Sequence, residues 1–429
     1  VCRSLHVGKS TTLRAISHIN SNSRTTDNDH KTLYLVFNKS QQIEAEKKGY
    51  PDTIVSTIHS FAYQHIKYVM PINLKHIPFK TFKLQLKSNY GISLFGNIGF
   101  KAYLLAKTYL DDFYLSKYVS INEFIKDNCS YHPNLLCGSD KSKAEIDFLN
   151  NVNSIAISIM KPTLEMIDNC TIPMSHGFYL KKFHMLLDNK DIELNQSFNL
   201  CSLDEAHDSS AVTFEILKLL QIPLKVCVGD KYQNIYGFLN TVNILDTSWA
   251  DHTFKLTNSF RCTPEIGVAV SDFVHEFDET FEFNGVGNNY EDDSVIYLTM
   301  TNAGMLAKMI ELTKQNKKFS CLRDPETIYA PIFAVQNANN PQKHEKLDSQ
   351  YKFLIDEYVK WETEYKLEYA SFFGYIMGHL GDEYPELKSA CKLILEDKDG
   401  DLHKLYTHYK TYNAKTATIK ISNSFIVKG

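Results

Sequence analysis

The sequence predicts an α/β protein built on parallel sheets, and three observations carry that prediction. Apolar runs such as TLYLVF (32–37) and PLKVCVGD (223–230) show little polar alternation, as in strands buried on both faces. Segments with helical spacing follow them, so strand and helix alternate in two separate stretches of the chain. Several runs end in acidic or polar residues, which is where open α/β sheets bind their ligands.

The first stretch begins with TLYLVF, passes through the helix-prone QQIEAEKK, and continues with DTIVST (52–57) and the helix-like SFAYQHIKYVM. It resumes at SFNLCSLDEA (197–206), a helical SAVTFEILKLL and the strand PLKVCVGD. Between the two parts, residues 72–195 carry Lys, Tyr, Phe and Leu at helical spacing, the pattern of a mostly helical insertion. The second stretch runs from HTFKLTNSF (252–260) through a helix from Pro264 to SVIYLTMTN (294–302) and AGMLAKMIELTKQ. Residues 325–412, with YKFLIDEYVKWETEYKLEYASFF, read as a second helical insertion, and ATIKISNSFIVKG reads as one more strand. The expected division is therefore a first domain of 1–71 and 196–250 interrupted by 72–195. A second domain takes 251–324 and 413–429, interrupted by 325–412. DKDGDLH (397–403) has a calcium-loop look, but Gly400 comes too early and His408 stands where the bidentate Glu belongs, so it reads as a turn.

With 429 residues, 43% hydrophobic and 22% charged, the chain has globular composition and room for about two to four domains. A formal net charge of −4 excludes a global basic field, so any nucleic-acid contact must come from local patches. No apolar run of about 18 residues and no export leader is visible. The expectation is an intracellular protein, nuclear if eukaryotic and cytoplasmic if bacterial or phage. Nine scattered cysteines without a CxxC pair read as reduced thiols rather than as a zinc site or disulfide framework.

The residues with chemical potential sit at the strand ends. GKSTT (8–12) has the form of the end of a phosphate-binding loop, with Gly8, Lys9, Ser10 and Thr11 as its residues. The place five residues ahead of Gly8 holds Arg3, and Leu5, His6 and Val7 are bulky where a loop that cradles phosphate must bend tightly. In LDEAHD (203–208), an Asp at the sheet edge can hold Mg²⁺ through water, and the Glu beside it can orient and deprotonate an attacking water. In VGDKYQNIYGF (228–238), Gln233 can bond a γ-phosphate or its water, while Tyr236 and Phe238 offer stacking surfaces for a base. In LTNSFRCTPEI (256–266), Arg261 precedes a helix with Thr263 as cap and Pro264 at its first position, a place from which an arginine can reach a phosphate. VFNKS (36–40) and STIHSFAY (56–63) bring Phe37, Asn38, Lys39, Thr57 and His59, suited to phosphate contacts and base stacking on a single strand. Most have a bland counterpart: helix caps for the two acids, core packing plus a turn for the Gln233 segment, a surface salt bridge for Arg261, and a helix start with His59 merely polar for TIHSF.

Taken in order, GKSTT, FNKS, TIHSF, LDEAHD, GDKYQNIYGF, LTNSFRC and YLTMTNAG resemble the superfamily 1 helicases of the UvrD/Rep type, most closely the F-box DNA helicase branch. That family's motifs read roughly GKTT, FN(K/R)S, TxHSF, DEAQD, GDxxQxIYxFRGA, LTxSFRC and RTNA. The resemblance covers about residues 8–60, 200–270 and 294–310, and ISNSFIVKG is similar to the start of a further motif, TAHxxKG. It implies two RecA-like, P-loop NTPase domains with helical insertions. It also implies ATP and Mg²⁺ as ligands, single-stranded DNA and duplex junctions as partners, and ATP-driven strand separation in repair, recombination or replication. By position, Lys9 would contact the β- and γ-phosphates, Ser10 and Asp204 the Mg²⁺, and Glu205 the hydrolytic water. Gln233 would sense the γ-phosphate, Phe260 would stack on adenine and Arg261 would reach the γ-phosphate, with Phe37, His59 and Phe238 along the DNA.

The departures are specific. FRGA is Phe238-Leu239-Asn240-Thr241 here, RTNA lacks its arginine because Met300 stands there, and His207 replaces the commoner glutamine of DEAQD. The glutamine motif that precedes the phosphate loop and the final helicase motif lie outside the chain, so the chain is expected to be truncated at both ends or to be a decayed, non-catalytic homologue. DEAH also occurs in helicases of another superfamily, and GKST in other P-loop NTPases including kinases. Neither of those requires the QxIY and SFRC segments.

Overall fold

The computed structural model describes residues 2–3, 8–22, 31–74, 79–129, 143–194, 196–234, 241–242, 244–246, 249–288, 294–321, 323–381, 384–411 and 417–423. The chain divides into two compact units, Val1–Asn289 and Tyr290–Gly429. Both are α/β with parallel sheets, as the apolar strands and intervening helices require.

In the first unit the strands β1 (Cys2–Arg3), β2 (Thr32–Val36), β3 (Thr53–Thr57), β4 (Leu200–Leu203), β5 (Leu224–Gly229) and β6 (Phe254–Lys255) form one sheet. Their order is β3-β2-β4-β5-β1-β6, and every neighbouring pair is parallel. All five residues of β2 are buried. Alternate side chains of a strand point to opposite faces, so Leu33 and Leu35 enter one core while Tyr34 and Val36 enter another. Helices α1 (Lys9–Asn22) and α2 (Lys39–Lys48) supply Leu13 and Ala45 to the Tyr34 side. The opposite face is covered by α3 (Ile58–Ile66), whose Ile58, Phe61, Ala62 and Ile66 form one helical stripe. Burying each of the larger side chains is worth about 1.5–3 kcal/mol.

The segment expected to be a helical insertion is helical in its described residues. It holds α4 (Phe79–Tyr90), α5 (Gly96–Leu115), α6 (Ile121–Asn128), α7 (Lys143–Asp168) and α8 (His176–Asp188). Together with α9 (Ala211–Leu219), these helices share a single apolar core with the Leu33 face of the sheet. The insertion is thus the outer layer of the first unit.

HTFKLTNSF, expected to be one strand opening the second domain at 251, is two short strands. Phe254–Lys255 pairs with β1 and becomes the edge of the first sheet. Asn258–Ser259 (β7) pairs instead with Asn284–Gly285 (β8), and α10 (Pro264–His275) lies between them in sequence. The first unit therefore runs on to Asn289. Residue types alone cannot reveal that the backbone partners of one extended segment change midway.

The second unit has a three-stranded parallel sheet, β9 (Val295–Thr299), β10 (Phe319–Cys321) and β11 (Ile419–Asn423), in the order β10-β11-β9. The last described strand is central, with Ile419 in register with both Phe319 and Val295. Helices α11 (Asn302–Lys314), α12 (Pro325–Ala338), α13 (Phe353–Lys360), α14 (Phe372–Tyr375), α15 (Pro385–Glu396) and α16 (Asp401–Thr411) build its core, which contains Met305, Met309, Tyr329, Phe372, Tyr375 and Ile421. In DKDGDLH, the Asp397 carboxylate accepts from the N–H groups of Asp401 and Leu402 and so caps α16. No helix of the described residues is long and apolar enough to cross a membrane.

Candidate functional site

The carboxyl edge of the first sheet gathers polar groups from three strand ends. After β1, Gly8 adopts φ +63°, a left-handed conformation that a side chain would strain, and its carbonyl accepts from Thr12 N–H at 2.7 Å. Helix α1 begins at once, so Lys9 and Ser10 occupy its first turn. After β4, Asp204 and Glu205 leave the sheet at the same edge. Lys9 Nζ donates to Glu205 Oε2 at 2.8 Å, and Ser10 Oγ donates to Asp204 Oδ2 at 3.2 Å.

Two features mark this edge as more than a helix cap. Glu205 is held at φ 49°, ψ 43°, a left-handed backbone that costs a non-glycine residue on the order of 1 kcal/mol. Asp204 is buried, and burial is the main reason its carboxyl is raised above its ordinary value, with the neighbouring Glu205 adding to it. Tyr34 OH donates to Asp204 Oδ2 at 2.7 Å and, with Lys9, opposes that rise. The tyrosine hydroxyl itself is pushed well up by its own burial and then by Asp204.

The third strand end adds Asp230 and Gln233. Asp230 caps the single turn Lys231–Gln233 by accepting from Tyr232 N–H at 3.0 Å. Its carboxyl is also raised by burial; the Tyr232 N–H, Lys9 and the Gln233 side chain oppose this, and Glu205 reinforces it. Asp230, Lys9, Glu205 and Gln233 therefore feel one another's charge or hydrogen bonds. His207 ties the two acidic motifs together, because Asp230 N–H donates to its Nδ1 at 3.0 Å. That donor assigns the neutral imidazole with its proton on Nε2, the nitrogen 3.5 Å from Asp208 Oδ2. Gly229 makes the approach possible: a Cβ there would lie 2.9 Å from His207 Nδ1.

A lysine, a hydroxyl and several carboxylates gathered at one sheet edge can bind a phosphate ester together with a hard cation. Ser10 and Asp204 offer the oxygen donors such a cation takes. Among the described residues no group of three or more His, Cys, Asp or Glu side chains could hold a metal by itself.

The other expected site residues divide. Thr11 is exposed on α1. Phe37 is exposed at the end of β2, next to Asn38, whose Oδ1 caps α2 by accepting from Gln41 N–H at 2.9 Å. Lys39 is exposed and its Nζ donates to Gln42. Thr57 Oγ1 accepts from Ser60 N–H at 3.1 Å as the cap of α3. His59 lies edge-on to Tyr179 at 6.1 Å, and burial, then His176, keep its pKa below the ordinary value. Phe260, 71% exposed, and the exposed Arg261 stand on the loop between β7 and α10. Tyr236 and Phe238 lie outside the described residues, as do residues 4–7, where Leu5, His6 and Val7 precede the loop glycine.

Some members were not singled out from the sequence. Tyr34 is one polar atom inside an apolar strand, and only its place opposite β4 in the sheet reveals it. Asp230 was visible as an acid at a strand end, the same signal that marked Asp204. Gly285 and Gly287 hold the Arg261 loop: Gly287 N–H donates to Cys262 O at 2.8 Å, and a Cβ at Gly285 would lie 1.9 Å from Thr263 O. The signal for them was the pair of glycines in NGVG (284–287).

No family model matches the chain. Over 91 residues it is 35% identical to F-box DNA helicase 1 of Gallus gallus, a stretch that is 21% of this chain and 9% of that protein. The chain thus spans under a tenth of that relative's length, and the similarity links one part of it to a DNA helicase.

Proposed function

We propose that the chain is an ATP-dependent DNA helicase or translocase of the UvrD/Rep type, with the carboxyl edge of the first sheet as its nucleotide site. One observation carries this reading: Lys9 and Ser10 meet Glu205 and Asp204, residues nearly two hundred positions away, at 2.8 and 3.2 Å. The local similarity to a DNA helicase supports it. So does the order of the motifs along the chain.

In this reading Lys9 exchanges its Glu205 partner for the β- and γ-phosphates of ATP, which frees the Glu205 carboxylate to orient and accept a proton from water. Ser10 and Asp204 would hold Mg²⁺, which would neutralise charge on the phosphates. Gln233 senses the γ-phosphate, Arg261 reaches it, and Phe260 stacks on adenine. Phe37, Lys39 and His59, with Tyr236 and Phe238, contact single-stranded DNA. The two units correspond to two RecA-like domains with inserted helices, and the protein works inside the cell.

A second reading keeps the binding but not the turnover. The bulky Leu5, His6 and Val7 ahead of Gly8 favour it, because they obstruct a tight phosphate loop. Measuring MgATP binding and phosphate release, with and without single-stranded DNA, separates the two. DNA-stimulated release that disappears in Glu205→Gln supports the helicase. Binding of MgATP and DNA without release supports the second reading, and a chain that binds no MgATP contradicts both.

A further inference from the structure

The helical layer of the first unit encloses a cavity of about 270 Å³ that none of the strand-end motifs borders. Helices α4, α5 and α7 and the segment 172–175 before α8 form its walls, with Phe82, Ala106, Leu110, Tyr114 and Ile167 buried around it. Met174 N–H donates to Asn73 O at 2.8 Å and closes the wall beside Leu74. An apolar cavity of about 150 Å³ already holds a benzene ring, so this one has room for a ring with a short polar tail.

The polar groups on these walls are of two kinds. Thr163 Oγ1 donates to Ile159 O at 2.6 Å and Ser175 Oγ accepts from Phe178 N–H at 3.2 Å, so both already serve the helices that carry them. The Tyr103 and Tyr114 hydroxyls and the Asp111 carboxylate have no hydrogen-bond partner among the described residues. Residues 103, 107, 111 and 114 recur at i, i+4, i+8 and i+11, so a single stripe of α5 carries them along the cavity. Burial is the first reason both hydroxyls are raised, and Asp111 is the next for each, so its charge reaches them both. Asp111 keeps part of its surface in water at the mouth, beside the exposed Lys107. Its carboxyl is raised first by burial; Lys107 opposes this and Asp112 adds to it. Among the described residues Lys107 makes no ion pair with Asp111.

The geometry points to a binding site for a small cationic amphiphile, an aryl- or alkylamine whose apolar body lies against Phe82, Leu110 and Ile167 and whose ammonium meets Asp111 and the two tyrosine hydroxyls. The walls select that chemistry. A neutral ring fills the cavity but leaves a carboxylate and two hydroxyls without partners, and a buried polar group without a partner is costly. An anion brings its charge against the Asp111 carboxylate. An ammonium has donors for all three oxygens and the charge that a carboxylate attracts. None of these residues belongs to the sheet edge of Lys9 and Asp204, so the site holds whether or not a nucleotide binds there.

The test is a calorimetric titration of the whole chain at pH 7 with phenethylamine and with phenylacetate, which carries the same ring and the opposite charge. Phenethylamine is expected to bind at about 1 mM or tighter, and phenylacetate at least about tenfold more weakly. Asp111→Asn, at the exposed mouth, should weaken phenethylamine at least about fivefold and bring the two ligands toward parity. Ala106→Leu fills the cavity floor and should remove saturable binding while helical circular dichroism is kept. If that variant loses its helicity, the Asp111→Asn titration decides alone. A wild type without saturable phenethylamine binding, as expected of a cavity that holds only water, overturns the inference. Equal affinity for phenylacetate overturns it too, as does a preference for the amine that survives unchanged in Asp111→Asn.

Discussion

The two larger parallel sheets end in edges that look alike in sequence and differ in charge. At the second unit's edge, Thr301 caps α11, Asn302 N–H donates to both Glu386 oxygens at 3.1 and 3.2 Å, and Arg323 donates to Asn302 Oδ1 at 3.0 Å. One arginine answers one half-buried carboxylate. At the first unit's edge, Lys9 faces Asp204, Glu205 and Asp230, and the Asp204 and Asp230 carboxyls are raised above their ordinary values by burial. Glu205 is also held in a left-handed backbone. The first edge thus keeps an excess of buried acid and local strain, which a bound cation and its phosphates would relieve. At the second edge burial raises the Glu386 carboxyl as well, with the Asn302 N–H and then Arg323 opposing it, so that edge holds one such acid where the first holds two. Helix starts at strand ends do not by themselves tell the two edges apart; the number of buried acids gathered around one lysine does.

The largest expected effect separates the edges directly. Lys9→Ala should weaken MgATP binding at least about a hundredfold, near 2.7 kcal/mol, whereas Arg323→Ala should leave it unchanged in calorimetric titration. Equal losses at both positions would erase the comparison. Next comes Tyr34→Phe, which removes the buried donor to Asp204 and should lower the unfolding free energy of the chain by about 1–3 kcal/mol in denaturant titration.

Asp204→Asn should act the other way. Because its carboxyl is raised above 3.8, the native state binds a proton that the unfolded state has already released. Stability is therefore full at low pH and falls as pH rises from 3.8 through the raised value. Asparagine abolishes that fall, so at pH 7 the ligand-free variant should be more stable by on the order of 1 kcal/mol while no longer answering to Mg²⁺. A variant with an unchanged pH profile would show that Asp204 carries no such burden. The smallest effect belongs to the second edge, where the less buried Glu386 is also raised by burial: Glu386→Gln keeps an acceptor for Asn302 N–H and should stabilise the chain at pH 7 by less than Asp204→Asn does.

What could be read from the residues follows from range. Strand and helix alternation depends on local periodicity, so β2, β4, β5 and the helices after them were legible, and so was the placement of Asp204 and Glu205 at a strand end. Partnerships across the sheet were not. Tyr34 looks like one more apolar strand residue until the register sets β2 beside β4, and Asp278, which accepts from Tyr232 OH, lies 46 positions from it with no periodic signal between them. HTFKLTNSF reads as one strand in the sequence, yet its two halves pair with different strands. His207 stands out in the sequence as a departure from DEAQD, but its hydrogen bond to Asp230 N–H exists only once β4 and β5 are adjacent.

Amide hydrogen exchange with and without MgATP tests most directly which edge is the site, because it reads both in one experiment. Protection is expected at residues 8–12, 204–208 and 230–233, with none at 301–304. Protection confined to 301–304, or no change at residues 8–12, would contradict the assignment of the first edge as the nucleotide site.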